Sequence, residues 1–238
     1  MRAAFLMLCG AALLRASAAF AITPEAITDT MSDDELRAYR NAKVAELVRR
    51  AGDVRAEKTA DSKTYHGIFF CTIYYTPKES GFTAERGFDA TPANAPGLGG
   101  RSYPWSFLQS VKKEGFGRLV EPVGGRSYIQ YVGGGRFRFA KAPLGSRGNV
   151  LIPRKSCAVS TRNKFLRQRL RLTIKSDTVN ECTGSEDWEV ADTGGGIHPL
   201  QIDLYWGEDE PRGPMGRQVA RPRGTWMEYS FETTVTAK

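Results

Sequence analysis

The chain opens on an almost unbroken apolar run, Ala3 to Leu14, with Arg2 before it and the small-x-small triplet Ala19-Phe20-Ala21 behind it. That order predicts a secretory signal over residues 1–21, cut after Ala21. The run falls short of the roughly 20 apolar residues that span a bilayer, and no later stretch reaches that length, so no transmembrane segment is expected. Residues 22–64 then read as a polar helical extension and linker. Ser32-Asp33-Asp34-Glu35 is a capping box. Leu36, Tyr39, Val44, Leu47 and Ala51 follow at helical spacing, interrupted by Lys43, and Gly52 is placed to stop the helix. One modest apolar face predicts a helix that docks on the main domain or leads into it. Asp53 to Lys63 reads as a charged linker.

From residue 65 to 238 the pattern changes to short β-branched and aromatic runs. The strand candidates are Ile68–Tyr75, Tyr128–Val132, Phe137–Ala140, Val150–Ile152, Leu170–Ile174, Trp188–Ala191, Ile202–Trp206 and Trp226–Val235. Gly and Pro clusters punctuate them, at Gly97–Gly100, Gly124-Gly125, Gly133–Gly135, Gly194–Gly196 and Pro211–Pro214. Short strands with glycine-rich connections predict a mainly-β barrel or sandwich. One helix, about Pro104 to Glu114, is inserted among them, and Asn163 to Arg169 is basic and ambiguous. Gly133–Gly135 lacks the strand–loop–helix setting of a phosphate loop.

Composition narrows the class. The 238 residues carry 34 Lys+Arg against 26 Asp+Glu, with 2 His and 4 Cys. Removing 21 residues leaves 217, and losing Arg2, Arg15 and Cys9 brings the net charge from +8 to +6 and the cysteines from four to three. A chain of this size buries its own core without a disulfide framework. Without a Cys-x-x-Cys pair, and with only His66 and His198, no metal site is expected, and no cofactor. For an exported basic protein the fitting partner is a polyanionic wall polymer or a membrane surface rather than a nucleic acid. Lys164, Arg167, Arg169 and Arg171 form its densest basic stretch.

The segment that carries chemistry runs from Asp192 to Gly207. Asp192 is expected to end a strand and open a glycine-rich turn, where Gly194, Gly195 and Gly196 let the backbone approach a ligand. Asp203 alternates with Ile202 and Leu204, so it faces away from their apolar side, and Tyr205 shares its face. Two readings stay open from the residues alone. The aspartates form an acid/base pair for glycan chemistry, or Asp192 caps the turn and Asp203 makes a buried hydrogen bond.

This segment resembles the three-aspartate domain family of bacterial lytic transglycosylases of the membrane-bound A type and their spore-associated relatives. The family pattern, Asp-Thr-Gly-Gly-Ala-Ile-Lys-Gly and then Ile-Asp-Leu-Tyr/Phe, is followed by Asp192–Pro199, where Gly196 replaces Ala and His198-Pro199 replaces Lys-Gly, and by Ile202-Asp203-Leu204-Tyr205. Tyr75 to Ala84, with Lys78 and Glu79, resembles the family's opening strand and turn. Ala142-Pro143-Leu144-Gly145-Ser146 resembles its Ile-Pro-Leu-Gly-Thr, and Gly216 to Tyr229 its closing region. The resemblance implies a six-stranded double-psi β-barrel with a groove for a glycan strand. It also implies non-hydrolytic cleavage of peptidoglycan, with a carboxyl held protonated by burial or by a neighbouring carboxylate.

Asp203 and Asp192 are then the catalytic candidates, and Tyr75, Lys78, Glu79, Thr193, Gly194, Gly195, His198 and Tyr205 the substrate-binding ones. Arg138 stands where the family often has its first aspartate, so a third acid is looked for at Glu79, Glu85 or Asp89. Cys157 and Cys182 are expected to pair across the long span between Gly145 and Asp192, leaving Cys71 a buried thiol. The insertion Asn94 to Gly125 brings Tyr103, Trp105 and Phe107, for stacking on sugars or for packing. Glu208 is a candidate to line the groove, and Arg217, Arg221 and Arg223 to hold substrate carboxylates. The expected protein is a monomer acting on peptidoglycan or a related polysaccharide, in the periplasm or cell envelope or outside the cell. A wall-binding barrel without catalysis, resembling expansins, and a polysaccharide hydrolase are the alternatives.

Overall fold

The computed structural model describes residues 64–168, 170–174, 179–180, 183–208 and 229–236, together with Ala42 and Ala45, which are helical. For 64–68, 70 and 229–236 only the backbone is described. The expected signal, the capping box, Cys182 and Arg217 to Arg223 lie outside the described residues. Among those described, no helix is long and apolar enough to cross a membrane.

In chain order the elements are β1 (Thr64–Tyr74), β2 (Pro92–Asn94), β3 (Ser102–Pro104), helix α1 (Trp105–Glu114), β4 (Phe116–Val123), β5 (Arg126–Gly133), β6 (Arg136–Ala140) and β7 (Ser156–Ser160). Then follow the short helix α2 (Lys164–Arg167), β8 (Arg171–Thr173), β9 (Asp187–Gly194), β10 (Gln201–Tyr205) and β11 (Tyr229–Thr236). Six strands make one mixed sheet in the order β11-β1-β10-β7-β9-β8. β1 runs parallel to β10, and β7 parallel to β9, while β11–β1, β10–β7 and β8–β9 are antiparallel. The edge strands β8 and β11 approach one another, but no hydrogen-bonded ladder joins them among the described residues. The mainly-β class holds, as a six-stranded sheet and not as a ladder-closed barrel.

Alternation along the strands divides this sheet into two faces. Phe69, Cys71, Ile73, Cys157, Val159, Trp188, Val190, Ile202 and Leu204 point to one side and form a core with Leu166 of α2 and Leu172 of β8. Tyr74, Ala158, Ala191 and Tyr205 point to the other, with Leu151 packed among them. Strand β7 escapes a sequence reading because its five residues, Ser-Cys-Ala-Val-Ser, are small and buried on both faces, so they show no polar alternation. The expected strand at Val150–Ile152 is not formed: Val150 makes one isolated bridge to Leu144, and the chain turns instead.

Residues 82–139, between β1 and β7, form a lobe with its own core. The sheet β4-β5-β6 packs on α1 through Phe107, Leu108, Val111, Leu119, Ile129 and Phe137. Helix α1 matches the expected insertion, with Phe107, Leu108 and Val111 on its buried side. It ends at Gly115, whose N–H reaches Val111 O at 2.9 Å with φ at 91°. Gly117 is required at once afterwards, because a Cβ there would lie 2.4 Å from Val111 Cγ2. Tyr103 and Phe107 are buried in this core, so they pack and do not stack on sugars, whereas Trp105 is 47% exposed.

The expected Cys157–Cys182 bridge needs correction, since Cys157 is a free thiol buried in the sheet core. It sits on an interior strand between β10 and β9, with its side chain turned into apolar neighbours. Cys71, as expected, is also a buried free thiol. Burial pushes both thiols well above their ordinary range. Neither Cys71 nor Cys157 is therefore expected to react with iodoacetamide in the native protein at pH 8, and both are expected to react in 6 M guanidinium. Peptide mapping by mass spectrometry reads the outcome.

Candidate active site

Three pairings, two parallel and one antiparallel, set four residues on one row. Thr72 of β1 faces Asp203 of β10, Asp203 faces Ala158 of β7, and Ala158 faces Asp192 of β9. At the spacing of adjacent strands the two aspartates stand about 10 Å apart at their Cα atoms, with only the Ala158 methyl between them. All four line a cavity of about 370 Å³, as do Tyr74, Gln201, Thr193, Gly194, Ile197 and, from the lobe, Lys113 and Glu114. That volume lies in the range of small-molecule sites.

Asp203 is oriented by a directional chain of hydrogen bonds. The backbone N–H of His198 donates to Gln201 Oε1 at 3.0 Å, which fixes the amide orientation. Gln201 Nε2 then donates to Thr72 Oγ1 at 2.7 Å, and the Thr72 hydroxyl donates in turn to Asp203 Oδ1 at 2.5 Å. The carboxylate at 203 is thereby held as an acceptor. Thr72 and Gln201 are both buried, so each bond is shielded from water.

Asp192 reaches the cavity through a bulge. Trp188 and Val190 face the sheet core, and unbroken alternation would send Asp192 there too. The register with β7 instead jumps from Cys157↔Val190 to Ala158↔Asp192, leaving Ala191 as the extra residue. The bulge turns Asp192 to the cavity side. Asp192 thus lies within β9 and not at its end. Its Oδ1 accepts the N–H of Ser146 at 2.7 Å and of Thr193 at 2.8 Å, while Ser146 Oγ and Thr193 Oγ1 are 3.0 Å apart. This clamps the Pro-Leu-Gly-Ser turn onto β9. Gly145 is obligatory in that turn, because a Cβ there would meet the Ala191 carbonyl oxygen at 2.0 Å.

A third carboxyl enters from the lobe. Glu114, the last residue of α1, lines the same cavity. Its side chain is 11% exposed, and its polar contacts are long: Tyr75 N–H to Oε2 at 3.4 Å and Lys113 Nζ to Oε1 at 3.9 Å. Burial lifts this carboxyl from 4.5 to about 7; Lys113 opposes the lift, Asp203 adds to it and the Tyr75 N–H opposes it. The acid sought at Glu79, Glu85 or Asp89 is not drawn from those positions. Glu79 accepts from Val120 N at 2.9 Å. Glu85 and Asp89 are exposed, held below their usual range by Thr83 and Thr91. A sequence signal for Glu114 did exist: a carboxylate at a helix C-terminus opposes the helix dipole.

The other expected site residues divide. Thr193 and Gly194 line the cavity. Gly195 faces open space, with nothing within 4 Å of a Cβ placed there. His198 sits in the turn beside them, where its Nδ1 accepts from Leu200 N at 3.1 Å. Tyr205 stays on the cavity face but is only 2% exposed, hydrogen-bonded to Thr76 at 2.8 Å. Its neighbour Tyr74 has its ring centroid 5.2 Å from that of Tyr205, and its buried hydroxyl finds no partner among the described residues. Burial, then the charges of Asp192 and Asp203, push the Tyr74 hydroxyl up, so it stays protonated.

Tyr75 packs against the sheet core, and Lys78 forms an isolated bridge with Arg118. Arg138 lies on the lobe, bound to Gln130 at 2.8 Å. Glu208 serves the seam between lobe and sheet, accepting from Tyr128 Oη and lying 3.9 Å from Arg118, which stacks on the Tyr128 ring.

No family model and no curated protein matches the chain. Among solved structures it is similar to a membrane-bound lytic murein transglycosylase from Agrobacterium tumefaciens, at 16% identity over 73% of this chain and 76% of that one, with a TM-score of 0.46. It is also similar to E. coli MltA with bound chitohexaose, at 14% identity over 87% and 86% of the two chains and a TM-score of 0.41. The lytic transglycosylase LtgG of Burkholderia pseudomallei is a third, at 14% identity over 92% and 88%, with a TM-score of 0.37.

Two stability measurements follow from this geometry. Thr72→Val removes the hydroxyl between Gln201 and Asp203 without changing shape, and is expected to cost about 1.5–3 kcal/mol in urea unfolding. Glu114 has its folded pKa above its unfolded value, so the stabilisation from its neutral form is complete below about pH 4.5 and lost as pH rises through about 7. Wild type is expected to lose about 3 kcal/mol across that window relative to Glu114→Gln, as read from paired urea titrations.

Proposed function

We propose that the chain is an exported, glycan-cleaving enzyme of the lytic transglycosylase type, acting on peptidoglycan through Asp203. The observation that carries this reading is the directional chain Gln201–Thr72–Asp203, which presents a fixed acceptor carboxylate to a cavity holding two further acids. A group so placed can take the proton from a sugar's own 6-hydroxyl as that oxygen attacks the anomeric carbon. The glycosidic oxygen leaves with a proton given by a carboxyl of the cavity, the attacking oxygen closes an anhydro ring, and no water is consumed. Asp192 holds the turn that forms the cavity wall and contributes negative charge where an oxocarbenium ion develops.

The motif supports the same assignment, since Asp192-Thr193-Gly194-Gly195 and Ile202-Asp203-Leu204-Tyr205 keep the family's order and spacing. A mature net charge of +6, from +8 less two arginines, suits an anionic wall. Export and an envelope location rest on residues 1–21 and on this substrate. The six-stranded sheet, with its edges close together, is compatible with a double-psi barrel.

The test uses purified sacculi with the mature protein, Asp203→Asn and Asp192→Asn, and mass spectrometry of the released material. Wild type is expected to give anhydro-muropeptides, and Asp203→Asn to lower their formation by about 10²–10⁴-fold. Products with reducing ends would make the protein a hydrolase. Binding to sacculi with no product from wild type would leave a wall-binding module and defeat both enzymatic readings.

A further inference from the structure

The cavity holds a buried carboxyl that the mechanism above leaves without a task. We propose that Glu114 is the proton donor of the reaction, a second catalytic carboxyl that the lobe sets into the cavity with Asp203. This assignment rests on the glycan-cleaving reading of the site.

Three observations carry it. First, Glu114 and Asp203 line one cavity from two different cores, α1 of the lobe and β10 of the sheet. Second, the hydrogen bonds give them opposite tasks. Gln201 must donate to Thr72, and Thr72 to Asp203, so Asp203 is held as the acceptor. Glu114 has no bond of that strength: its Oε2 receives one N–H at 3.4 Å, and its Oε1 is 3.9 Å from Lys113. A carboxylate this buried ordinarily takes several short charged contacts, and without them the neutral, proton-bearing form is favoured. Third, Glu114 ends α1, where unpaired carbonyls oppose negative charge.

The titratable and charged groups around it are Lys113 on its own helix, Asp203 on β10, Asp192 on β9 and Tyr74 on β1. One cation stands against two other acids. Burial places the Glu114 carboxyl at about 7, where an acid is both populated and able to give up its proton near neutral pH.

The step balances. The Glu114 proton moves to the glycosidic oxygen as the bond from that oxygen to the anomeric carbon breaks. The sugar's 6-hydroxyl oxygen bonds to the same carbon, and its proton passes to Asp203. The turnover ends with Glu114 ionised and Asp203 protonated, and one proton moved from Asp203 to Glu114 resets the pair.

The experiment combines sacculus cleavage with direct titration of Glu114 by carbon-13 NMR of the labelled side chain. A midpoint near 7 is expected, moving down in Asp203→Asn. Glu114→Gln is expected to lower kcat by about 10²-fold or more while sacculus binding and KM hold. Wild-type activity is expected to fall above about pH 7, and Glu114→Asp to recover part of the rate. A Glu114 midpoint at 4.5, or a Glu114→Gln enzyme as fast as an active wild type, overturns the assignment and leaves the glycan-cleaving reading standing. A wild type that releases no anhydro product ends both.

Discussion

The row Thr72–Asp203–Ala158–Asp192 is the constraint on which the site depends. It exists because β1 lies parallel to β10, β10 antiparallel to β7 and β7 parallel to β9, so that four strands meet in register. Ile202, Leu204, Val159 and Cys157 bury the opposite side of the same strands. The apolar core therefore fixes where the polar row must stand. A slip of one residue in β10 would bury Asp203 and expose Leu204, which couples the position of the carboxylate to the stability of the core.

The lobe adds what the sheet lacks. Its core shares none of its buried residues with the sheet's, yet the end of α1 reaches the cavity. The join is polar: Arg118 N–H to Pro77 O at 2.8 Å, Tyr128 and Arg118 with Glu208, and the Tyr75 N–H with Glu114. Desolvation at this join, more than any single partner, gives Glu114 its altered acidity.

The mainly-β class, the inserted helix and most of the strands were legible from period and punctuation. Asp203 was legible as well, since Ile202 and Leu204 reveal by alternation which way it faces. Asp192 was placed by motif and not by pattern, because its bulge with Ala191 breaks the period that would have buried it. Strand β7 was invisible because Ser156 to Ser160 is small and buried on both faces. Val150–Ile152 has strand composition but no partner to pair with beyond Leu144. Cys157 suggested a bridge by its company in an insertion, and only its place on an interior strand shows otherwise. Glu114 lay at the end of a helix correctly expected, but its approach to Asp203 is a tertiary fact that no local pattern encodes.

The separation of the two cores means that two independently packed parts must meet before the cavity is complete. A sheet folded alone would already present Asp203 with its full chain of hydrogen bonds. It would lack the carboxyl at 114, which arrives only when the lobe has folded and docked across a polar seam. If the proposed chemistry needs both carboxyls, a chain whose lobe has not docked holds Asp203 in place without the group that completes the pair.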